Sequence, residues 1–398
     1  MDRKHYNVAG ADEIIEAATV RRYNPDGSLS CLMDPGAIIS ASAVIDALCF
    51  IGPGSRVGEN VVIKNDSIIG WDTAIGDNVI IDDGVFIGNR VRVEGGTRIG
   101  THAKIMSTSF IGEEVFLGEY VFVGENVTIG NGVILDNQSS IGNYCQVESS
   151  AMIGKNVYLR PQVTIRRNVN IGEGATVGER SQVQNNASIG DGATIKDETE
   201  IGPYTVVGLK ATLENAAILL EHVRVGPSAV IGSHAVVGAK SVIGPSARIG
   251  AHAMLSESVH MAEHASIGNH AFAQNDAYIG AYSTVGRSGF IGAFAVLGRE
   301  VITQDSVSIG EATQIGSNTR IGNGSFIDAN VLLATGVNIG RQSRVEAGVR
   351  MGADSRLASS AVARSRVERG GRVYRARPAV DQESPDLQHA FRMIPDGI

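Results

Sequence analysis

The sequence predicts an all-β chain: one parallel β-helix of about eighteen triangular coils, with a short N-terminal cap and a C-terminal extension. Three observations predict it. Stepping by six from Met33 through Ile39, Ile45 and Ile51 to Leu357 meets 55 positions, 53 of which are Ile, Val, Leu or Met. Ala273 and Thr303 are the two exceptions, and no residue is inserted or deleted along the way. Counting each of these as position 0, position +1 is Gly in 32 of the 55 hexads, and position +4 is always Ala, Val, Ser, Thr, Cys or Gly. Composition agrees, with 49 glycines and only 5% aromatics describing a core too narrow for Phe.

Each element follows from alternation along a strand. Positions +4 and 0 are two apart and point inward together, while +3 and +5 point outward. Positions +1 and +2, rich in Gly, Asn, Asp and Pro, are expected to form the turn, with Gly supplying backbone angles that other residues resist. Three such sides close a triangle of eighteen residues, and stacking the triangles makes three parallel sheets. At a strand spacing of about 4.8 Å, eighteen coils give a rod roughly 85 Å long.

Residues 1–32 form the cap. ADEIIEAA reads as a short helix, and YNPDGS as the turn of a hairpin that covers the first coil's open strand edge. Residues 33–362 are the coils. Residues 363–398 form a basic extension: ten arginines against three acids lie between 341 and 377, and Ser384-Pro385-Asp386 begins an N-capped short helix.

The pattern resembles the [LIV]-G-x-x-[STAV]-x signature of the hexapeptide-repeat transferase superfamily, over residues 33 to 362. That resemblance implies a left-handed helix, homotrimers packed along parallel axes, and acyl transfer from a CoA or acyl carrier protein thioester to a sugar or amino-sugar acceptor. In such enzymes a histidine at a subunit interface serves as general base. The stretches IKNDSIIG and LENAAILLEHVRVG also resemble the hexapeptide tails of sugar-phosphate nucleotidyltransferases.

Function must be read from the outward positions. Sorted by eighteen, one +5 series runs Ile218, Val236, Met254, Phe272, Phe290, an apolar stripe expected to be the homotrimer interface. Beside it the +3 series holds His234, His252 and His270, the candidate catalytic residues, because an imidazole titrates near neutrality. In the N-terminal half the outward apolar residues lie on the other two faces, Val62, Ile80, Phe116, Ile134 and Met152 on one and Ile68, Phe86 and Phe122 on the other. Acyltransferases with an I-A-H-D-C-V hexad carry their histidine at +2. Here His102, His222, His234, His252, His264 and His270 are at +3 and His260 at +5, and no loop interrupts the coils.

Arg344, Arg350 and Arg356 face outward near the C-terminal end and are the candidate contacts for phosphates of acyl-CoA or another phosphate-bearing ligand. No tightly bound cofactor and no metal site are expected: His260, His264 and His270 point from different edges of the coil, away from any zinc geometry. Gly95-Gly96-Thr97-Arg98 falls inside a hexad without the strand–loop–helix context of a phosphate grip. Thr176, Thr194 and Thr212 form a row too short for an ice-binding face. A formal charge of −8 gives no reason to expect nucleic acid. Cys31, Cys49 and Cys145 have neither zinc nor disulfide spacing, and no apolar run is long enough to span a membrane, so a cytoplasmic location is expected. The expected function is acyl transfer; the alternative is a non-catalytic scaffold rod that presents its faces to partners.

Overall fold

A computed structural model describes residues 3–6, 15–18 and 20–374. The chain is a left-handed parallel β-helix of about 19 turns. Each side contributes a two-residue strand at positions +5 and 0. The first sheet holds Phe50–Ile51, Ile68–Ile69 and their successors to Arg372–Val373. The second runs from Ile38–Ile39 to Val362–Ala363, and the third from Val44–Ile45 to Arg350–Met351. Strands pair in parallel at an offset of eighteen, from Met33↔Ile51 to Arg344↔Val362. The coils continue beyond residue 362 with one change: Met351↔Val367 and Arg356↔Arg372 pair at an offset of sixteen. The shortening falls between Ala363 and Val367, where four residues span a side that takes six elsewhere.

The interior follows the alternation rule. Position 0 residues such as Ile45, Ile63 and Ile81 are fully buried, and so are +4 residues such as Ala43, Val61 and Val79. Most hydroxyls at +4 find carbonyls in the interior, Ser139 and Ser355 being buried without a partner. Ser55 Oγ donates to Gly70 O at 2.7 Å and Thr73 Oγ1 to Gly88 O at 2.8 Å, and Ser55 Oγ in turn accepts from Thr73 N at 3.1 Å. Cys49 and Cys145 occupy the same position and do the same, Sγ donating to Lys64 O at 2.9 Å and to Arg160 O at 3.0 Å. A buried polar group with its partner costs little; without one it would cost a few kcal/mol.

The corners differ from expectation in one respect. The turn occupies +2 and +3, one residue later than composition suggests, and the left-handed residue is +3. There, non-glycine residues adopt φ between 50° and 64°. The +1 glycines are not needed for their angle. They are needed for space: a Cβ at Gly280 would sit 2.3 Å from Gly298 O, and one at Gly322 would sit 2.7 Å from Arg341 N. At several positions where +1 carries a charge, opposite charges stack from coil to coil. Lys64 Nζ meets Asp82 Oδ1 at 2.6 Å, Arg166 meets Glu148 at 2.6 Å, and Arg364 meets Glu346 at 3.1 Å.

At the N-terminus, Val20–Tyr23 and Leu29–Met33 form an antiparallel hairpin around the YNPDGS turn, and Leu29–Met33 pairs onward with Phe50–Ile51. The ADEIIEAA segment is not a helix where the structure describes it. Ile15–Ala18 is a strand, antiparallel to Arg3–Tyr6. Paired with a second strand, four residues gain more from ladder bonds than from one helical turn, whose nucleation is unfavourable. The expected helix after Ser384 lies outside the described residues.

Candidate functional site

The corner between the first and second sheets carries His234, His252 and His270, one per coil. All three are exposed and left-handed at φ 56°, 57° and 56°. Stacking the coils stacks the rings. Centroids lie 4.9 Å and 5.0 Å apart, with interplanar angles of 8° and 1°. The backbone fixes this: His234 N donates to Asn215 O and His252 N to Ser233 O, so each corner repeats the one before it.

Two residues after each histidine comes an outward strand residue: Val236, Met254 and Phe272. With Ile218 before them and Phe290 after, they form a continuous apolar file on the second sheet. Met254 is exposed and the other four are half-buried. The Phe272 and Phe290 rings meet at 5.8 Å. The structure therefore brings together the candidate histidines and the candidate interface.

Stacking alone does not distinguish these histidines. Tyr204 stacks on His222 at 5.0 Å, His264 on Tyr282 at 4.9 Å and His260 on Tyr278 at 5.1 Å. Any ring at a given position stacks on a ring eighteen residues away, a signal available in the sequence. The distinguishing feature is the apolar file alongside. The three imidazoles have no hydrogen-bonding or ionic partner among the described residues, so no carboxylate orients them within one chain.

The candidate arginines are not brought together. Arg344 lies on the second sheet, Arg350 on the third and Arg356 on the first. Six residues carry the chain around a corner, and only residues eighteen apart share a face. Arg344 is also engaged, its Nη2 lying 2.8 Å from Asp328 Oδ2. Arg356 shares its face with Arg320, two coils earlier, and with Arg372, its direct partner in the next coil.

Burial disfavours the thiolate form of all three cysteines. Burial pushes Cys49 up to about 12 and Cys145 up to about 11, and it raises Cys31 as well. His260, His264 and His270 lie on a sheet face and two different corners, and among the described residues no group of three side chains is placed to hold a metal ion. No helix among the described residues is long and apolar enough to cross a membrane.

With this geometry in view, the comparisons fall into place by class. The bacterial transferase hexapeptide family model matches residues 144–179, and the hexapeptide repeat of succinyl-transferase matches 66–101 and 314–351. The GMPPB C-terminal domain model matches residues 219–315, which begin within the LENAAILLEHVRVG stretch. These matches support the hexapeptide-repeat transferase superfamily as the family of this chain.

No curated protein matches it. Among solved structures, it is similar to the Arabidopsis UDP-N-acetylglucosamine acyltransferase at 19% identity, over 51% of this chain and 65% of that one, with a TM-score of 0.22. The Bacteroides fragilis UDP-N-acetylglucosamine acyltransferase is 22% identical over 50% and 70% of the respective chains, with a TM-score of 0.18. A Caulobacter crescentus perosamine N-acetyltransferase, solved with CoA and GDP-perosamine, is 18% identical over 36% and 53%, with a TM-score of 0.17. The chain thus spans just under two thirds of the Arabidopsis enzyme's length.

Proposed function

We propose that the protein is an acyltransferase that moves an acyl group from a CoA or acyl carrier protein thioester to a sugar or amino-sugar acceptor. The observation that carries this reading is the file of three imidazoles set directly beside the apolar file of the second sheet. In this reading the sheet is the seam of a homotrimer, and the seam encloses the histidines in a water-poor cleft. One imidazole takes the proton from the acceptor hydroxyl or amine as that atom attacks the thioester carbonyl. The C–S bond breaks, the new ester or amide bond forms, and the proton passes to the departing thiolate. Arg344, Arg350 and Arg356, one per face, would meet donor phosphates at the basic end. A cytoplasmic location accompanies the reading, because three buried unpaired thiols suit a reducing compartment.

The test is acyl transfer from acetyl-CoA or an acyl carrier protein thioester to amino-sugar acceptors. His252→Ala with His270→Ala removes transfer and leaves assembly intact. Transfer unchanged in the double variant overturns the assignment.

A second reading is favoured by the missing orienting carboxylate: a scaffold rod whose seam serves only assembly. It predicts that no acyl-thioester binds and that Phe272→Asp still breaks self-association.

A further inference from the structure

On the first sheet, Ile302, Arg320 and Asn338 form a ridge with a groove on each side. The two grooves differ in charge. One, of about 360 Å³, includes Glu300 in its wall together with Tyr282 and Asn318. The other, of about 410 Å³, has no acidic residue in its lining. Arg320 and Arg341 both line it, together with Gln304, Asn338 and Ser359. Its floor is backbone, at Gly322 and Gly340, which the close approach of successive coils keeps free of side chains.

Two neutral side chains of the lining each accept a backbone N–H. Gln304 Oε1 accepts from Asn323 N at 3.0 Å, so its amide group presents N–H to the groove. Ser359 Oγ accepts from Arg341 N at 3.2 Å, so its hydroxyl hydrogen remains to be donated. Neither guanidinium has an acidic partner among the described residues, whereas neighbouring Arg344 and Arg364 are held by Asp328 and Glu346. Beside the apolar Ile302, Ile321 and Ile339, the polar part of the lining therefore offers two planar guanidinium forks, an amide and a hydroxyl as donors. Such a set matches an anion with several oxygens spread over two centres.

We infer that this groove binds a small phosphate-bearing ligand, with Arg320 and Arg341 each gripping one phosphate-type group and Gln304 and Ser359 donating beside them. The inference does not depend on acyl transfer, since the probe below carries no acyl group. Arg320 and Arg341 come from different elements, a strand of the first sheet and the corner after it in the next coil, and the eighteen-residue stacking places them together.

The test is calorimetric titration of the full chain with inorganic pyrophosphate at about 150 mM salt, where screening removes diffuse attraction. Saturable binding of one pyrophosphate per chain is expected. Arg320→Ala with Arg341→Ala abolishes it. Gln304→Glu is the sharper variant, because it keeps the oxygen that Asn323 N needs and exchanges the N–H donors for negative charge. It should weaken binding by about tenfold or more, with an unchanged circular-dichroism spectrum. Absence of saturable binding overturns the inference, and so does binding that both variants leave unchanged. Displacement of pyrophosphate by phosphatidylglycerol vesicles, and not by soluble phosphomonoesters, also overturns it in favour of a membrane surface.

Discussion

Between residues 218 and 290 the second sheet shows Ile218, Val236, Met254, Phe272 and Phe290, with imidazoles along its edge. Between residues 302 and 359 the first sheet shows Ile302, Arg320, Asn338 and Arg356, with donors along its edge. The backbone beneath is the same in both: two-residue strands, left-handed +3 corners and an eighteen-residue offset. The two regions teach that a solenoid of this kind separates its tasks by position. Positions 0, +1 and +4 specify the rod and are interchangeable between regions, while +2, +3 and +5 specify what each region does. The histidine region is flanked by apolar side chains, while the outward strand positions of the arginine region include Arg320 and Arg356.

That equivalence of scaffold can be broken at the corners. Gly250→Val and Gly322→Val each place a side chain against backbone, 2.4 Å from Asn269 N and 2.7 Å from Arg341 N at Cβ alone. Each should cost about 3 kcal/mol or more, and both should lower the thermal midpoint by similar amounts. A neutral effect in one region and not the other would show that the two stretches are not built alike.

A smaller effect is expected in the first coils, where glycine at +1 gives way to charge. Burial opposes ionisation of Asp82, but the hydrogen bond and charge of Lys64, with Arg98, outweigh it and hold the carboxyl below the usual range. Asp82→Asn should cost about 1 kcal/mol at neutral pH. Because Asp82 ionises more readily folded than unfolded, its contribution is complete above the ordinary aspartate value of about 3.9 and disappears as pH falls through the lower folded value. Denaturation curves of wild type and variant should therefore converge in acid. A gap that persists at pH 2 would contradict the assignment.

The smallest effect is expected inside the core. Cys145→Ser places another hydroxyl where Ser and Thr already serve, and should change stability by less than about 1 kcal/mol. With their thiols pushed up to about 12 and about 11, Cys49 and Cys145 should resist a disulfide reagent at pH 8 until the chain is unfolded. Rapid labelling of the folded protein would contradict the burial described for them.

The inward face of this rod was legible in the sequence almost residue by residue, because branched aliphatics at position 0 and small residues at +4 answer a single demand, a narrow interior. The corner was read one residue early. Glycine is selected both by an unusual angle and by a close approach, and composition alone does not separate the two. At +1 the reason is Gly298 O beside Gly280; the angle falls on +3, where Asn, Asp, Ser, His and Tyr accept it. The histidine file was legible because eighteen-residue sorting is the correct ruler for a face. The arginines were read with a six-residue ruler, which turns a corner at each step and scatters Arg344, Arg350 and Arg356 over three sheets. The donor groove was beyond sequence reasoning, since it depends on which oxygens of Gln304 and Ser359 are already occupied.

The central claim is that the second sheet is a covered seam and the first sheet is free. Sedimentation velocity on wild type, Phe272→Asp and the Arg320→Ala/Arg341→Ala pair tests it most directly. The account predicts three times the mass of one chain for the wild type and the arginine variant, and a single chain for Phe272→Asp. A wild type that sediments as one chain, or a trimer that survives Phe272→Asp, would contradict it.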